Sequence, residues 1–127
     1  MENLCYVVNI KDPLNIDIDL KDNIKSPIYE EYVYEENGIR KSGKVYRCRI
    51  RGIVLKNNKK NNNDIFYKAY IEIMRIIDRS NGWIICEIFD IDKLNRVLVD
   101  LYDPVSGDKI NDIFLKYPYN EHFKVYI

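Results

Sequence analysis

The sequence predicts an α+β fold that is mainly β, a small Greek-key barrel with one longer and one short helix. Short stretches rich in β-branched and aromatic residues recur along the chain, separated by turn-forming Asn, Asp, Gly and Pro. One long stretch, residues 64–79, has apolar side chains at helical spacing. The 127 residues have the length of one domain, which we expect to span residues 1–127.

Three strands are predicted in the first part of the chain. Residues 4–10 (LCYVVNI) are rich in β-branched and aromatic side chains and end at a turn over residues 11–13. Residues 16–20 (IDIDL) alternate apolar and acidic side chains, as half-buried strands do. Residues 29–34 (YEEYVY) are aromatic and precede Asn37-Gly38, a dipeptide that favours a hairpin turn.

The middle of the chain combines a strand with a polar loop. Residues 45–53 (VYRCRIRGI) alternate apolar and basic side chains, which predicts a strand with Arg47, Arg49 and Arg51 on one face. Residues 56–63 (KNNKKNNN) are polar and of low complexity, so they predict a loop.

The predicted helix at residues 64–79 begins with an acidic residue, which suits the helix dipole, and ends at residues 80–82 (SNG). Residues 83–89 (WIICEIF) predict a buried strand, and a tight turn over residues 92–95 leads into its hairpin partner at residues 97–101.

The end of the chain predicts a short helix over residues 109–116, which stops before Pro118. Residues 123–127 (FKVYI) have the character of a strand. This apolar terminus would add a strand to the fold or dock onto a partner.

The cysteines Cys5, Cys48 and Cys86 lie in apolar stretches and lack metal-ligand spacing, while His122 is the single histidine. We therefore expect buried free thiols and neither a zinc site nor a disulfide framework. The sequence contains no run of about 18 apolar residues, so no transmembrane helix is predicted. The residues after Met1 do not resemble a secretory signal. The expectation is an intracellular protein without a membrane partner.

Composition also suggests a source. Ile, Asn, Lys and Tyr, which have AT-rich codons, supply nearly half of the chain. This usage indicates an AT-rich genome, such as that of a large DNA virus, a protozoan parasite or a low-GC bacterium. In a virus the protein would reside in the host cytoplasm or the virion.

Net charge is zero, but the charges are unevenly distributed. Residues 1–38 hold nine acidic and three basic side chains, whereas residues 61–127 hold eleven acidic and eight basic side chains. Residues 39–60 hold nine basic side chains and no acidic one. This basic block either forms a surface for an anionic partner or is neutralised by neighbouring acidic strands. Overall neutrality favours neutralisation, because nucleic-acid-binding domains usually carry net positive charge.

Three segments resemble the staphylococcal nuclease (thermonuclease) family. They are residues 47–53 (RCRIRGI), residues 86–102 (CEIFDIDKLNRVLVDLY) and residues 107–116 (GDKINDIFLK). The family pattern is a strand ending R-L-x-G-I-D-T-P-E, a helix, a hairpin centred on D-K-Y-G-R-x-L-V and a helix opening with V-N. The resemblance covers residues 44–116 and implies a five-stranded OB-fold barrel that hydrolyses DNA or RNA with one Ca²⁺.

Residue by residue, the resemblance places the two family arginines, which stabilise charge on the phosphate, at Arg49 and Arg96. The two calcium-binding aspartates fall on Leu14 and Val54, and the catalytic glutamate falls on Asn57. Alkyl side chains cannot coordinate Ca²⁺, which requires oxygen ligands, and the asparagine lacks the charge of the glutamate. The resemblance therefore implies a nuclease fold that has lost its acting carboxylates.

Several assignments stay open at this level. Asp17 and Asp19 share a predicted strand face. Either one of them replaces a lost carboxylate near Arg49, or both belong to a solvated face. Arg49 and Arg96 either contact an anion or pair with nearby acids as a structural network. The candidate acids are Glu72, Glu87 and Asp100. The family's tyrosine that stacks on a nucleotide aligns with Leu94. Tyr117 and Tyr119 lie near positions at which the family has other nucleotide-contacting tyrosines.

These observations favour a catalytically inactive, nuclease-like module that acts as a binding or scaffold protein without metal or cofactor. Its partner would be nucleic acid or a protein. One alternative is an active Ca²⁺-dependent nuclease with displaced carboxylates, and another is a structural subunit of a larger particle. The candidate nucleic-acid contacts are Arg40, Lys41, Lys44, Arg49, Lys56, Lys59, Lys60 and Arg96.

Overall fold

The structure, a computed structural model, describes residues 2–22, 24, 30–56 and 62–126. Eight strands and one α-helix are present in these ranges. They are β1 (Glu2–Asp12), β2 (Asn15–Asp19), β3 (Glu30–Glu36), β4 (Ile39–Ile50), β5 (Ile53–Leu55), α1 (Asn63–Arg79), β6 (Trp83–Ile91), β7 (Val97–Tyr102) and β8 (Phe123–Val125).

Five strands close into a barrel in the order β2-β1-β6-β7-β4, because β4 also pairs with β2. All of these pairs are antiparallel except β4–β7, which is parallel. Numbered along the chain, the barrel strands are neighbours in the order 1-2-3-5-4, with α1 inserted after the third. This arrangement is OB-fold-like, and it confirms the predicted α+β barrel with one longer and one short helix.

Strand β4 shows how the alternating sequence builds the barrel wall. Tyr46, Cys48 and Ile50 are buried in the core, while the intervening Arg47 and Arg49 are half-buried. All three cysteines are buried free thiols, as predicted. Burial raises the pKa of Cys48, which keeps its thiol protonated at neutral pH.

The β3–β4 hairpin extends the sheet beyond the barrel. Its turn is the predicted Asn37-Gly38, and both residues have positive φ, 54° and 76°. The first half of β4 pairs with β3 and the second half with β2 and β7. Tyr29, assigned to this strand from the sequence, lies outside the described residues.

The prediction that a single strand runs from residue 45 to residue 53 is wrong at both ends, and β4 already begins at Ile39. Strand β4 stops at Ile50, and Arg51-Gly52 forms a turn in which Gly52 has a φ of +79°. The chain then reverses into β5, which pairs with the terminal strand β8. The apolar terminus therefore adds a strand to the fold of its own chain, as the partner of β5. Arg51 lies beyond β4 and does not share a strand face with Arg47 and Arg49.

The helix α1 begins one residue earlier than predicted and ends at Arg79. Its buried face consists of Ile65, Ala69, Ile73 and Ile77, at the spacing that the sequence shows. No helix within the described ranges is long and apolar enough to cross a membrane. The predicted second helix is a 3₁₀ helix over Ile110–Leu115, and its Phe114 packs edge-on against Phe123 of β8 at 4.9 Å between ring centroids.

A buried carboxylate, Asp100 on β7, connects the end of the barrel to the 3₁₀ helix. It accepts two hydrogen bonds from Arg51, at 3.1 and 2.8 Å, and one from Asn111 at 2.9 Å. Lys109 Nζ lies 3.1 Å from Asp100 Oδ2. Partial burial acts to raise the pKa of Asp100, but the bonds from Arg51 and Lys109 outweigh it, so the pKa lies below its ordinary value.

We expect Asp100→Asn to lower the free energy of unfolding by about 2–3 kcal/mol at neutral pH, because an amide cannot satisfy two cations. The native pKa of Asp100 is the lower one, so its contribution is complete above about pH 4 and disappears as the pH falls further. Urea denaturation across this range measures the difference, with exposed Asp112→Asn as the control. If the difference in free energy of unfolding between Asp100→Asn and the unmodified chain stayed the same at acidic pH, this role would be contradicted.

Candidate functional site

The two arginines singled out by the resemblance, Arg49 and Arg96, line one surface cleft of about 530 Å³. The parallel β4–β7 register sets Arg49 opposite Leu98. Arg96 lies two residues before Leu98, and its charge acts on Arg49. Burial, followed by the positive charge of Arg96, lowers the pKa of Arg49. A guanidinium nevertheless stays protonated at neutral pH, so the cleft holds two adjacent positive charges.

The guanidinium of Arg49 is held by backbone carbonyls and not by an acid. Its Nη1 donates to the carbonyl of Ile50 at 2.9 Å, and its Nη2 donates to the carbonyl of Ile53 at 2.7 Å. These bonds span the Arg51-Gly52 turn and fix the position of the side chain. These acceptors are neutral, and the charges of Asp12 and Asp92 act on Arg49 less than burial and Arg96 do, so its positive charge suits contact with an anion.

Arg96 connects two turns at the same end of the barrel. Its Nε donates to Asp92 at 2.8 Å and its Nη1 donates to Asn15 Oδ1 at 3.0 Å. Partial burial acts to raise the pKa of Asp92, but hydrogen bonds from Arg96 and from the Leu94 amide outweigh it, so the pKa is lowered. Arg96 is therefore an ion-paired side chain held in a fixed geometry at the edge of the cleft.

Neither arginine pairs with the acids that the sequence suggested. Glu72 accepts a hydrogen bond from Tyr119, Glu87 accepts one from Tyr102 at 3.4 Å, and Asp100 holds Arg51. Structural pairing with an acid therefore applies to Arg51, through Asp100, and to Arg96, through Asp92, whereas Arg49 donates to backbone carbonyls.

Two of the three positions at which the resemblance expects carboxylates carry the apolar side chains of Leu14 and Val54. Leu14 is 5% exposed and belongs to the core. Its turn is closed by Asp12, whose Oδ1 accepts from the amides of Leu14 and Asn15 at 2.8 and 2.9 Å. Val54 is half-buried and lines the cleft, and Asn57 lies outside the described residues. In the described ranges no three His, Cys, Asp or Glu side chains are grouped as metal ligands.

The candidate replacement carboxylates have separate surroundings. Asp19 accepts from Tyr32 Oη at 2.7 Å and pairs with Lys21 at 3.0 Å. Asp17 is 4% exposed and shares a second pocket, of about 220 Å³, with Arg96 but not with Arg49. Burial raises the pKa of Asp17, although a hydrogen bond from Asn9 and the charge of Arg47 oppose this.

The fold distributes the basic block over several surfaces. Arg40, Lys41 and Lys44 lie on the β3–β4 hairpin, where Glu35 faces Arg40 and Glu31 faces Lys44 across the strands. Lys41 also pairs with Glu36 at 3.2 Å. This part of the block is neutralised by acidic β3.

The rest of the basic block is also divided. Lys56 Nζ donates to the carbonyl of Asn120 at 2.7 Å, and Lys59 and Lys60 lie outside the described residues. Of the described candidate contacts, Arg49 and Arg96 are the pair that the fold brings into one cleft.

Tyr126, to which the sequence motifs assign no role, is 71% exposed and lines the cleft with Arg49 and Arg96. The amide of Tyr126 donates to the carbonyl of Gly52 at 2.8 Å, which fixes the residue after β8 beside the turn. Of the tyrosines noted from the resemblance, Tyr117 lines a different pocket and Tyr119 is buried. No local pattern signals this role of Tyr126, because it depends on the β5–β8 pairing.

We expect Ca²⁺ to leave the thermal unfolding midpoint unchanged, because Leu14 and Val54 provide no ligand oxygen. Differential scanning fluorimetry with Ca²⁺, with Mg²⁺ and with a chelator measures this. Plasmid incubation under the same conditions tests cleavage. A midpoint that rises only with Ca²⁺, together with chelator-sensitive cleavage, would contradict the prediction and restore the nuclease hypothesis.

Comparison with known proteins leaves the family open. The chain matches no protein-family model and no curated protein sequence. The nuclease-like interpretation therefore depends on the motifs described above and on the barrel that carries them.

Proposed function

We propose that this chain is a non-catalytic, staphylococcal-nuclease-like OB-fold module that binds single-stranded nucleic acid in the cleft between Arg49 and Arg96. The observation that carries the proposal is the placement of two guanidinium groups and the exposed ring of Tyr126 in one cleft. A nucleotide combines an anionic phosphate with a flat base, and this set of side chains complements both.

The arginines supply the phosphate contact. Guanidinium groups recognise phosphate through charge-assisted, often paired hydrogen bonds. Arg49 has two of its donors on backbone carbonyls and Arg96 has two on Asp92 and Asn15. Each guanidinium has five N–H donors, so these bonds position the groups without using their full capacity.

Tyr126 supports binding of a single strand. Bases of a single strand are unpaired and stack on exposed aromatic rings, with gains of about 1–3 kcal/mol per base. The faces of barrel strands two and three, and the neighbouring loops, are the usual binding surface of OB folds. Here those strands are β2 and β4, and β4 carries Arg49.

The cleft is expected to bind a phosphodiester without hydrolysing it, for a chemical reason. Phosphodiester cleavage by such a site needs a metal ion to stabilise the developing charge and a carboxylate to position water. Leu14 and Val54 occupy the positions at which the resemblance expects the metal-binding aspartates. Two arginines without the ion bind a phosphate but provide no activated nucleophile.

We expect Arg49→Gln and Arg96→Gln each to weaken binding of a fluorescent single-stranded oligonucleotide about tenfold, since a charged hydrogen bond contributes about 1.5–3 kcal/mol. Fluorescence anisotropy with DNA and RNA, over a series of salt concentrations, measures the effect. Exposed Lys68→Gln on α1 removes the same charge away from the cleft and serves as the control. Equal losses in all three variants, or no binding by the unmodified chain, would refute the proposal.

Tyr126→Ala is expected to weaken oligonucleotide binding about fivefold to a hundredfold, because it removes one stacking ring. Its salt dependence should equal that of the unmodified chain, since no phosphate contact is lost. Tyr126→Phe retains the ring and is expected to bind normally. An affinity of Tyr126→Ala equal to that of Tyr126→Phe would exclude stacking.

A further inference from the structure

A second pocket adjoins the cleft on the other side of Arg96. Its volume is about 220 Å³, and its lining includes Lys11, Asp17, Arg47 and Leu94 as well as Arg96. The hydrogen bond from Arg96 Nη1 to Asn15 Oδ1 lies at the boundary, since Asn15 lines the second pocket and Arg96 lines both. The two cavities therefore share Arg96 as a lining residue, and together they are called the groove.

The strand register sets the spacing of positive charges along this groove. Arg47 and Arg49 lie two residues apart on the outer face of β4, so their backbones are separated by about 7 Å. Arg47 pairs with Asp17 and Arg49 pairs with Asn15 across the β2–β4 ladder. Arg47 thus lines the second pocket and Arg49 lines the cleft, at a spacing comparable to that of successive phosphates along one nucleic-acid strand.

We infer, on the basis of the proposed function, that the ligand is a strand with at least two phosphates, which crosses Arg96 with one phosphate at Arg49 and the next at Arg47 and Lys11. A mononucleotide fills only the cleft. The second pocket contains three cations and the single carboxylate of Asp17, so it retains positive charge for an anion.

Asp17 weakens the second phosphate site. Its carboxylate is buried between β1 and β4, where it interacts with Asn9, Arg47 and Lys11. A phosphate placed in the same pocket competes for those cations and is repelled by the carboxylate. Removal of this charge alone should therefore strengthen binding of a ligand that reaches the second pocket.

The experiment compares thymidine 5′-monophosphate with 5′-phosphorylated dithymidylate by isothermal titration calorimetry. We expect the dinucleotide to bind about tenfold more tightly, from one further charge-assisted contact. Arg47→Gln should abolish this gain while leaving the affinity for the mononucleotide unchanged. Asp17→Asn, which keeps the size of the side chain, should increase the affinity for the dinucleotide alone.

Salt dependence provides a second readout that a change in packing would not move. Loss of one phosphate contact should reduce the slope of log K against log salt by about 0.7 for single strands. Arg47→Lys should retain the slope, and thermal unfolding of each variant checks its folding.

The outcomes separate the two hypotheses. Absence of binding to either ligand and to longer oligonucleotides by the unmodified chain would overturn the proposed function together with this inference. Equal affinities for mononucleotide and dinucleotide, or no effect of Arg47→Gln and Asp17→Asn on the dinucleotide, would overturn the second site alone.

Discussion

The short parallel ladder between β4 and β7 determines both the barrel and its candidate site. Three residue pairs, Cys48–Val97, Arg49–Leu98 and Ile50–Val99, define this ladder. The amide of Arg51 extends it by donating to the carbonyl of Val99 at 2.9 Å. Because the strands run in the same direction, residues that end β4 lie beside residues that begin β7. This register closes the barrel and brings Arg49 to Arg96 and Arg51 to Asp100.

The three arginines at this seam have different roles. Arg51 is stacked on the Phe89 ring, 3.5 Å from its centroid, and bound to buried Asp100, so it belongs to the framework. Arg49 is held by neutral carbonyls and Arg96 by one carboxylate. Fixed side chains lose little conformational entropy on binding, which makes the cleft a preorganised anion site in the proposed function.

Relative to the nuclease pattern that the sequence resembles, the alkyl side chains of Leu14 and Val54 offer no oxygen to a metal ion. Leu14 contributes its surface to the core, and its turn remains closed by Asp12. The backbone at this position therefore does not depend on a bound ion. Under the proposed function, retention of the arginines without metal ligands leaves recognition of the phosphate and removes its hydrolysis.

Local patterns in the sequence determined the class of fold, the buried thiols and the position of most strands and helices to within about two residues, because alternation and helical spacing are properties of neighbouring residues. The resemblance also singled out Arg49 and Arg96 as candidate phosphate contacts. The tertiary structure decided that Arg51 turns away from the β4 face, that β8 brings Tyr126 to the cleft, and that Asp17 lies in a pocket with Arg96. These facts depend on pairing between strands distant in the chain, and short-range periodicity contains no information on that register.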